Sequence, residues 1–158
     1  MQTTAQSIAL TVNRQKRTVE TDPETPLLYI LRNQFTLNGP KYGCGLGQCG
    51  ACMVLIDNQP VMSCMLSAEA AAGKEIVTLA GIAEKDGALH PVQQAFIEEQ
   101  AAQCGYCTSG MILSVVALLE RNPSPNEAEI RQALQINLCR CGTHSRVIRA
   151  VQRAIELL

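Results

Sequence analysis

Apolar positions recur with a period of two at the start of the chain and with a period near 3.6 after its midpoint. Ile8, Leu10 and Val12 alternate with other residues, the pattern of a half-buried strand. Asn13-Arg14-Gln15-Lys16 then supplies a turn, and Arg17 to Glu20 a return strand. Thr25-Pro26 reads as an N-cap followed by proline at the first helical position. A short helix through Leu27, Leu28, Ile30 and Leu31 follows from it. Ala51 to Ile56 and Val61 to Met65 flank the polar Asp57-Asn58-Gln59 with Pro60, which predicts a hairpin whose second strand carries Cys64. Ile76 to Leu79 is a weaker strand.

Beyond Gly81 the pattern is helical. Pro91 opens a helix carrying Val92, Ala95 and Phe96, with Glu98-Glu99 near its end. Residues 108–121 form a second, with Met111, Ile112, Val115, Val116 and Leu119 on one stripe. Ser124-Pro125-Asn126-Glu127 places a capping pair before a third, bearing Ile130, Ala133 and Leu134. Val147, Ile148, Val151, Ala154, Ile155 and Leu158 line one face of a last helix. These stripes serve core packing. Glu84-Lys85-Asp86-Gly87 interrupts the apolar patterning, so the linker falls near residues 80–88.

A length of 158 residues, 47% of them hydrophobic, suits one large domain or two small ones sharing an interface. The net charge of −1 removes the electrostatic case for a nucleic-acid or anionic-membrane partner. Aromatic residues at 3%, with no Trp, also remove the stacking platforms that single strands require. No apolar run approaches the ~20 residues of a membrane span. Met1 to Ser7 shows neither a basic stretch nor an apolar signal core. The expectation is a cytoplasmic chain without direct membrane insertion, compatible with periplasmic export beside a signal-bearing partner.

The eight cysteines change the picture. In a reducing compartment such a number serves metal binding or redox chemistry rather than disulfides. Cys44, Cys49 and Cys52 are spaced C-x4-C-x2-C, with Cys64 downstream, which is the plant-type [2Fe–2S] spacing. An iron–sulfur core bound by thiolates is anionic and takes backbone N–H donors close to its sulfurs. Gly43, Gly45, Gly47 and Gly50 let the loop fold tightly and turn its amides inward. Residues 45–50 also match G-x-G-x-x-G, but a strand follows instead of a helix and cysteines occupy the loop, so the match to a dinucleotide site is coincidental.

Cys104 and Cys107 form C-x2-C between two helices, and Cys139 and Cys141 form C-x-C between two later ones. Loops at helix ends can meet across a bundle and aim N-terminal amides at an anionic core. A four-thiolate zinc site is the alternative, although C-x-C suits it less well than a second C-x2-C. Two redox centres in one small chain make a wire. No P-loop, nucleophile elbow or His-rich metal site accompanies them. His90, before Pro91, reads as a helix-start residue. His144 reads as structural or exposed, with a hydrogen bond toward the second cysteine group as the other reading.

Gly-Cys-Gly-Leu-Gly-Gln-Cys-Gly-Ala-Cys (43–52), Phe-Ile-Glu-Glu-Gln-Ala-Ala-Gln-Cys-Gly-Tyr-Cys-Thr-Ser-Gly-Met (96–111) and Asn-Leu-Cys-Arg-Cys-Gly (137–142) resemble the small iron–sulfur subunit of molybdenum hydroxylases, the xanthine oxidase family. The resemblance spans essentially the whole chain and includes all eight cysteines in order and spacing. It implies an α+β fold with a plant-ferredoxin-like β-grasp domain over residues 1–80 and a four-helix bundle domain over 81–158. It implies one [2Fe–2S] cluster on Cys44, Cys49, Cys52 and Cys64, and another on Cys104, Cys107, Cys139 and Cys141. In this family the helical-domain cluster lies beside a molybdopterin, here with cytosine dinucleotide as the expected form, housed in a large partner subunit. The glutamine before the C-x2-C pair, Gln103 here, hydrogen-bonds that pterin.

The implied chemistry is hydroxylation beside a ring nitrogen, or aldehyde oxidation, with oxygen from water. Electrons would pass from molybdenum through the helical-domain cluster and then the ferredoxin-like one. Ser109 stands where many members have proline, and Cys-Arg-Cys-Gly-Thr-His (139–144) differs from the Cys-Arg-Cys-Thr-Gly-Tyr style of flavin-containing three-subunit enzymes. Both features resemble the nicotinate, isoquinoline and aldehyde dehydrogenase branch. That branch implies a cytochrome-type acceptor in preference to an FAD subunit. A free-standing two-cluster ferredoxin and a zinc-stapled interaction module are the other readings.

Overall fold

A computed structural model describes residues 5–83 and 87–158. Glu84, Lys85 and Asp86, the centre of the expected linker, lie outside the described residues, as do Met1 to Thr4. Five strands make one mixed sheet: β1 (Gln6–Val12), β2 (Gln15–Thr21), β3 (Met53–Ile56), β4 (Gln59–Met62) and β5 (Glu75–Val77), in the order β2-β1-β5-β3-β4. β1 and β2 form an antiparallel hairpin with Ile8 opposite Val19, and β5 runs parallel to β1 with Ile76 opposite Val12. The first turn is tighter than the residue pattern predicts. Asn13 and Arg14 alone make it, both at positive φ, in a two-residue turn whose twist matches that of the strands it joins. Asp57 and Asn58 repeat the device between β3 and β4, so Gln59 and Pro60 belong to the strand rather than the turn.

The short helix α1 (Leu27–Tyr29) continues into a π-helical turn over Ile30–Gln34. Thr25 is not its cap. Pro26 holds that position with no side-chain hydrogen bond, while Thr25 Oγ1 accepts from Thr21 Oγ1. The first helical amides go instead to the chain that follows β4: Leu27 N–H donates to the Leu66 carbonyl and Leu28 N–H to that of Ser63. Long-range carbonyls thereby do the work of the missing cap. Cys64 accordingly sits in the turn after β4, which ends at Met62, and not on the strand itself.

Four helices follow the sheet: α3 (Pro91–Glu98), α4 (Thr108–Arg121), α5 (Glu127–Ala133) and α6 (His144–Leu157). A further short helix, α2 (Ala68–Ala71), precedes β5. His90 caps α3, its Nδ1 accepting from Val92 N–H while its own N–H donates to Gln93 Oε1. α5 is capped by Asn126 with Glu129, two residues later than Ser124 with Glu127, because the Asn126 side chain reaches the Glu129 amide.

Strand β3 joins the two halves of the molecule. All four of its residues are buried. Alternation sends Val54 and Ile56 to a core with Leu10, Leu27, Ile30, Leu31 and Ile76. Met53 and Leu55 face the opposite core, with Met111, Leu113 and Val115 of α4 and Val147 and Val151 of α6. The fold is therefore α+β, a ferredoxin-like sheet with a helical layer against it, and both cysteine groups lie on the loops along that seam.

Candidate metal centres

In the first group, the loop before β3 brings Cys44 and Cys49 together. Cys44 N–H donates to Cys49 Sγ at 3.3 Å, and Leu46 and Gln48 amides donate to Cys44 Sγ at 3.3 and 3.2 Å. The Gln48 amide, and then that of Leu46, hold the Cys44 thiol at about 7, below its ordinary value, by favouring thiolate. Gly43 is needed for space: a Cβ there would fall 2.7 Å from Cys49 Sγ. Cys52 is paired with Cys64 through Ser63, whose hydroxyl donates to the Cys52 carbonyl at 2.7 Å. Burial, reinforced by the neighbouring Cys64 sulfur, pushes the Cys52 thiol up to about 11.

In the second group, Cys141 Sγ lies 3.5 Å from Cys104 Sγ. Gln103 Nε2 donates to the Cys141 carbonyl at 3.2 Å and ties the two loops. Cys107 is the N-cap residue of α4 and Thr143 that of α6. Burial and the adjacent Cys139 push the Cys107 thiol up to about 12. Burial works against the Cys139 thiolate as well, but the Thr143 hydroxyl, 3.3 Å from its sulfur, and the Thr143 amide outweigh it and bring this thiol down to about 6. His144 is exposed at the first position of α6.

Among the described residues, no three His, Cys, Asp or Glu side chains converge as they would around a single ion. The thiols come in twos instead: Cys44 with Cys49, Cys52 with Cys64, Cys104 with Cys141, Cys107 with Cys139. A binuclear cluster takes two protein ligands on each iron, so paired thiols with inward amides fit it. Loading either group would release protons, among them those of Cys52 and Cys107, whose thiols stay protonated at neutral pH.

That proton ordering yields an expected result. Thiolate is the nucleophile, so alkylation of the iron-free chain at pH 7 marks Cys139 and Cys44 well before Cys107 and Cys52. Cys139 slows as pH falls through about 6. Peptide mapping across pH 5–8 checks the order, and Cys107 labelling as fast as Cys139 would contradict it.

The two groups face each other. A cavity of about 230 Å³ is lined by Cys44 and Cys49 on one side and by Cys104, Cys107 and Cys139 on the other. A backbone hydrogen bond spans it, from Leu138 N–H to the Cys49 carbonyl at 3.0 Å. Further ties lie close by. Ser109 Oγ donates to the Gly39 carbonyl at 2.5 Å, and the Tyr106 hydroxyl donates to the Tyr42 backbone carbonyl. Ser109 therefore uses its hydroxyl where a proline could not donate. A larger cavity, about 440 Å³ between Pro60, Arg121 and Gln132, contains no cysteine. Ser63, Thr143 and Asn137 support the cysteines without any spacing signal of their own. Only Asn137 and Thr143 stand close enough to C-x-C to be suspected.

Residues 10–80 match the family described as "2Fe-2S iron-sulfur cluster binding domain", and residues 78–152 match "[2Fe-2S] binding domain". The chain is 58% identical to one of the subunits of nicotinate dehydrogenase from Pseudomonas putida, over 99% of its own length and 97% of that protein's. It is 45% identical to the small FeS subunit of nicotinate dehydrogenase from Eubacterium barkeri, covering 95% of each. Its fold superimposes on a chain of quinoline 2-oxidoreductase from Pseudomonas putida 86 with a TM-score of 0.90 and 35% identity, covering 96% of this chain and 94% of that one. With both cysteine groups seated on matching folds along its full length, the chain belongs to the small [2Fe–2S] electron-transfer subunits of the molybdenum hydroxylases.

Proposed function

We propose that this chain relays electrons from a molybdopterin centre in a large partner subunit to an external acceptor, during hydroxylation of a nicotinate-like N-heteroaromatic or oxidation of an aldehyde. Residues 1–80 would hold one cluster through Cys44, Cys49, Cys52 and Cys64. Residues 81–158 would hold the other through Cys104, Cys107, Cys139 and Cys141. The observation that carries the reading is the shared cavity, where two thiol groups face one another and one peptide hydrogen bond joins Cys49 to the residue before Cys139.

When bound, the clusters supply one-electron chemistry. The chain itself orients thiolates in pairs, directs amides at their sulfurs and keeps the two groups at short range. The names of the nicotinate dehydrogenase relatives favour a nicotinate-like substrate. The cytosine dinucleotide form of the pterin, a cytochrome-type acceptor in preference to an FAD subunit, and a cytoplasmic site of assembly complete the proposal. No helix among the described residues is long and apolar enough to cross a membrane.

Gln103 is the proposed contact with the pterin. Its exposed amide spends one N–H on Cys141, which leaves a donor and an acceptor for a heterocycle edge. Gln103→Ala is expected to lower pterin content or slow reduction of the adjacent cluster in the purified complex. Unchanged content and rate would sink the contact. Co-purification with a large molybdenum-containing subunit tests the assembly, and a chain that purifies alone from its native source would speak for a free-standing shuttle.

A further inference from the structure

Three residues that flank cluster cysteines meet where there is no room for a methyl group. A Cβ on Gly110, three residues after Cys107, would fall 2.1 Å from the Gly50 carbonyl oxygen. A Cβ on Gly50, next to Cys49, would fall 2.4 Å from Asn137 Nδ2. Asn137 itself stands two residues before Cys139 and is 2% exposed. Its Oδ1 accepts from the buried Ser114 hydroxyl of α4 at 2.9 Å, and its backbone N–H donates to the Leu134 carbonyl. The next amide along, Leu138 N–H, makes the 3.0 Å bond to Cys49 that crosses between the two groups.

The carboxamide is only half satisfied: Oδ1 is bonded to Ser114, but the other end is not. Nδ2 is buried without a hydrogen-bond partner among the described residues. An orphan donor is a cost to folding, and it offsets part of what the bond to Ser114 contributes. What the amide supplies is orientation. With Oδ1 fixed on α4 and the flat group pressed against Gly50, residue 137 can rotate no further, and the Leu138 N–H is aimed at the Cys49 carbonyl.

We propose that Asn137 is a positioning residue for transfer between the two clusters: it fixes the separation and alignment of the Cys49 and Cys139 loops. The inference rests on the relay reading above. In the step it would serve, one electron would pass from the cluster held by the helical half, which is oxidised, to the cluster held by the ferredoxin-like half, which is reduced. No proton or atom need be exchanged. Tunnelling falls off exponentially with distance, so a loop shift alters the rate even with both clusters intact.

The experiment is EPR of the fully reduced, iron-loaded chain, in which the magnetic interaction between the two clusters reports their distance and orientation. Asn137→Ala and Ser114→Ala are expected to weaken that interaction while each cluster keeps its own signal and iron content. Asn137→Asp retains the acceptor for Ser114 and should restore part of it. Leu118→Ala, a core truncation elsewhere on α4, serves as the structural control and should leave the interaction unchanged. If Asn137→Ala loses a cluster, Ser114→Ala decides. An unaltered interaction in the seam variants, or an equal loss in Leu118→Ala, overturns the proposal. Wild-type protein lacking two clusters would instead overturn the relay reading.

Discussion

Cys104→Ser is expected to abolish turnover with every electron acceptor while leaving the EPR signal of the cluster at Cys44 in place. Cys104 is exposed, and its sulfur lies 3.5 Å from that of Cys141, so the two present themselves as a pair to one iron. The Tyr106 amide, and then Cys141, hold its thiol below the ordinary value and favour the ligating form. A serine hydroxyl is far harder to deprotonate and is a poor substitute for a soft thiolate. The Cys44 loop keeps its own donors from Leu46 and Gln48, which do not depend on Cys104. Loss of the helical-half cluster should therefore be selective. If the helical cluster is the entry point, no acceptor downstream can bypass its loss. Retained turnover in a variant shown to lack that cluster would take it off the route.

Gly50→Ala should destabilise the protein by about 2–5 kcal/mol, the largest expected loss of stability from adding a single methyl group to the first loop. Two costs combine. Gly50 adopts φ +73°, where an L side chain pays about 1–2 kcal/mol. The added Cβ would also sit 2.4 Å from Asn137 Nδ2 and 3.0 Å from the Ile136 carbonyl, an overpacking penalty of about 1–3 kcal/mol. Gly73 separates the terms, since it has φ +75° but no described residue within 4 Å of its Cβ position. Gly73→Ala should therefore show the conformational cost alone. Denaturant unfolding of both iron-loaded variants makes the comparison. Equal losses would mean that the seam between the loops yields freely, against the close approach described here.

Much of the fold was legible from local pattern. The alternation in Ile8, Leu10 and Val12 and the stripes around Met111 and Val147 each placed an element within a few residues, because burial on one face is a local property of sequence. Thr108–Arg121 begins and ends where its stripe predicts. The cysteine spacings were legible for a similar reason, since ligands on one loop must sit at fixed intervals. What escaped was whatever one segment does for another. The α1 amides are satisfied by Ser63 and Leu66, more than thirty residues away in the chain. Those bonds replaced the expected Thr25 cap. They also belong to the turn that holds Cys64 beyond the end of β4. The seam of Gly50, Gly110 and Asn137 was invisible for the same cause, as none of the three carries a periodicity or a spacing that announces its neighbour. The Asn126 cap differs in kind: two overlapping capping pairs were present, and the structure uses the one whose side chain reaches back to its own N3 amide.

On the proposed function, two unlike thiol groups on facing loops each hold a [2Fe–2S] cluster. Iron and acid-labile sulfide analysis, combined with EPR of the dithionite-reduced protein, tests it most directly. Two irons and two sulfides are expected for each of two clusters, with two distinct and mutually interacting signals, one of which disappears in Cys104→Ser. A colourless protein carrying zinc, or a single signal with half the iron, would contradict it.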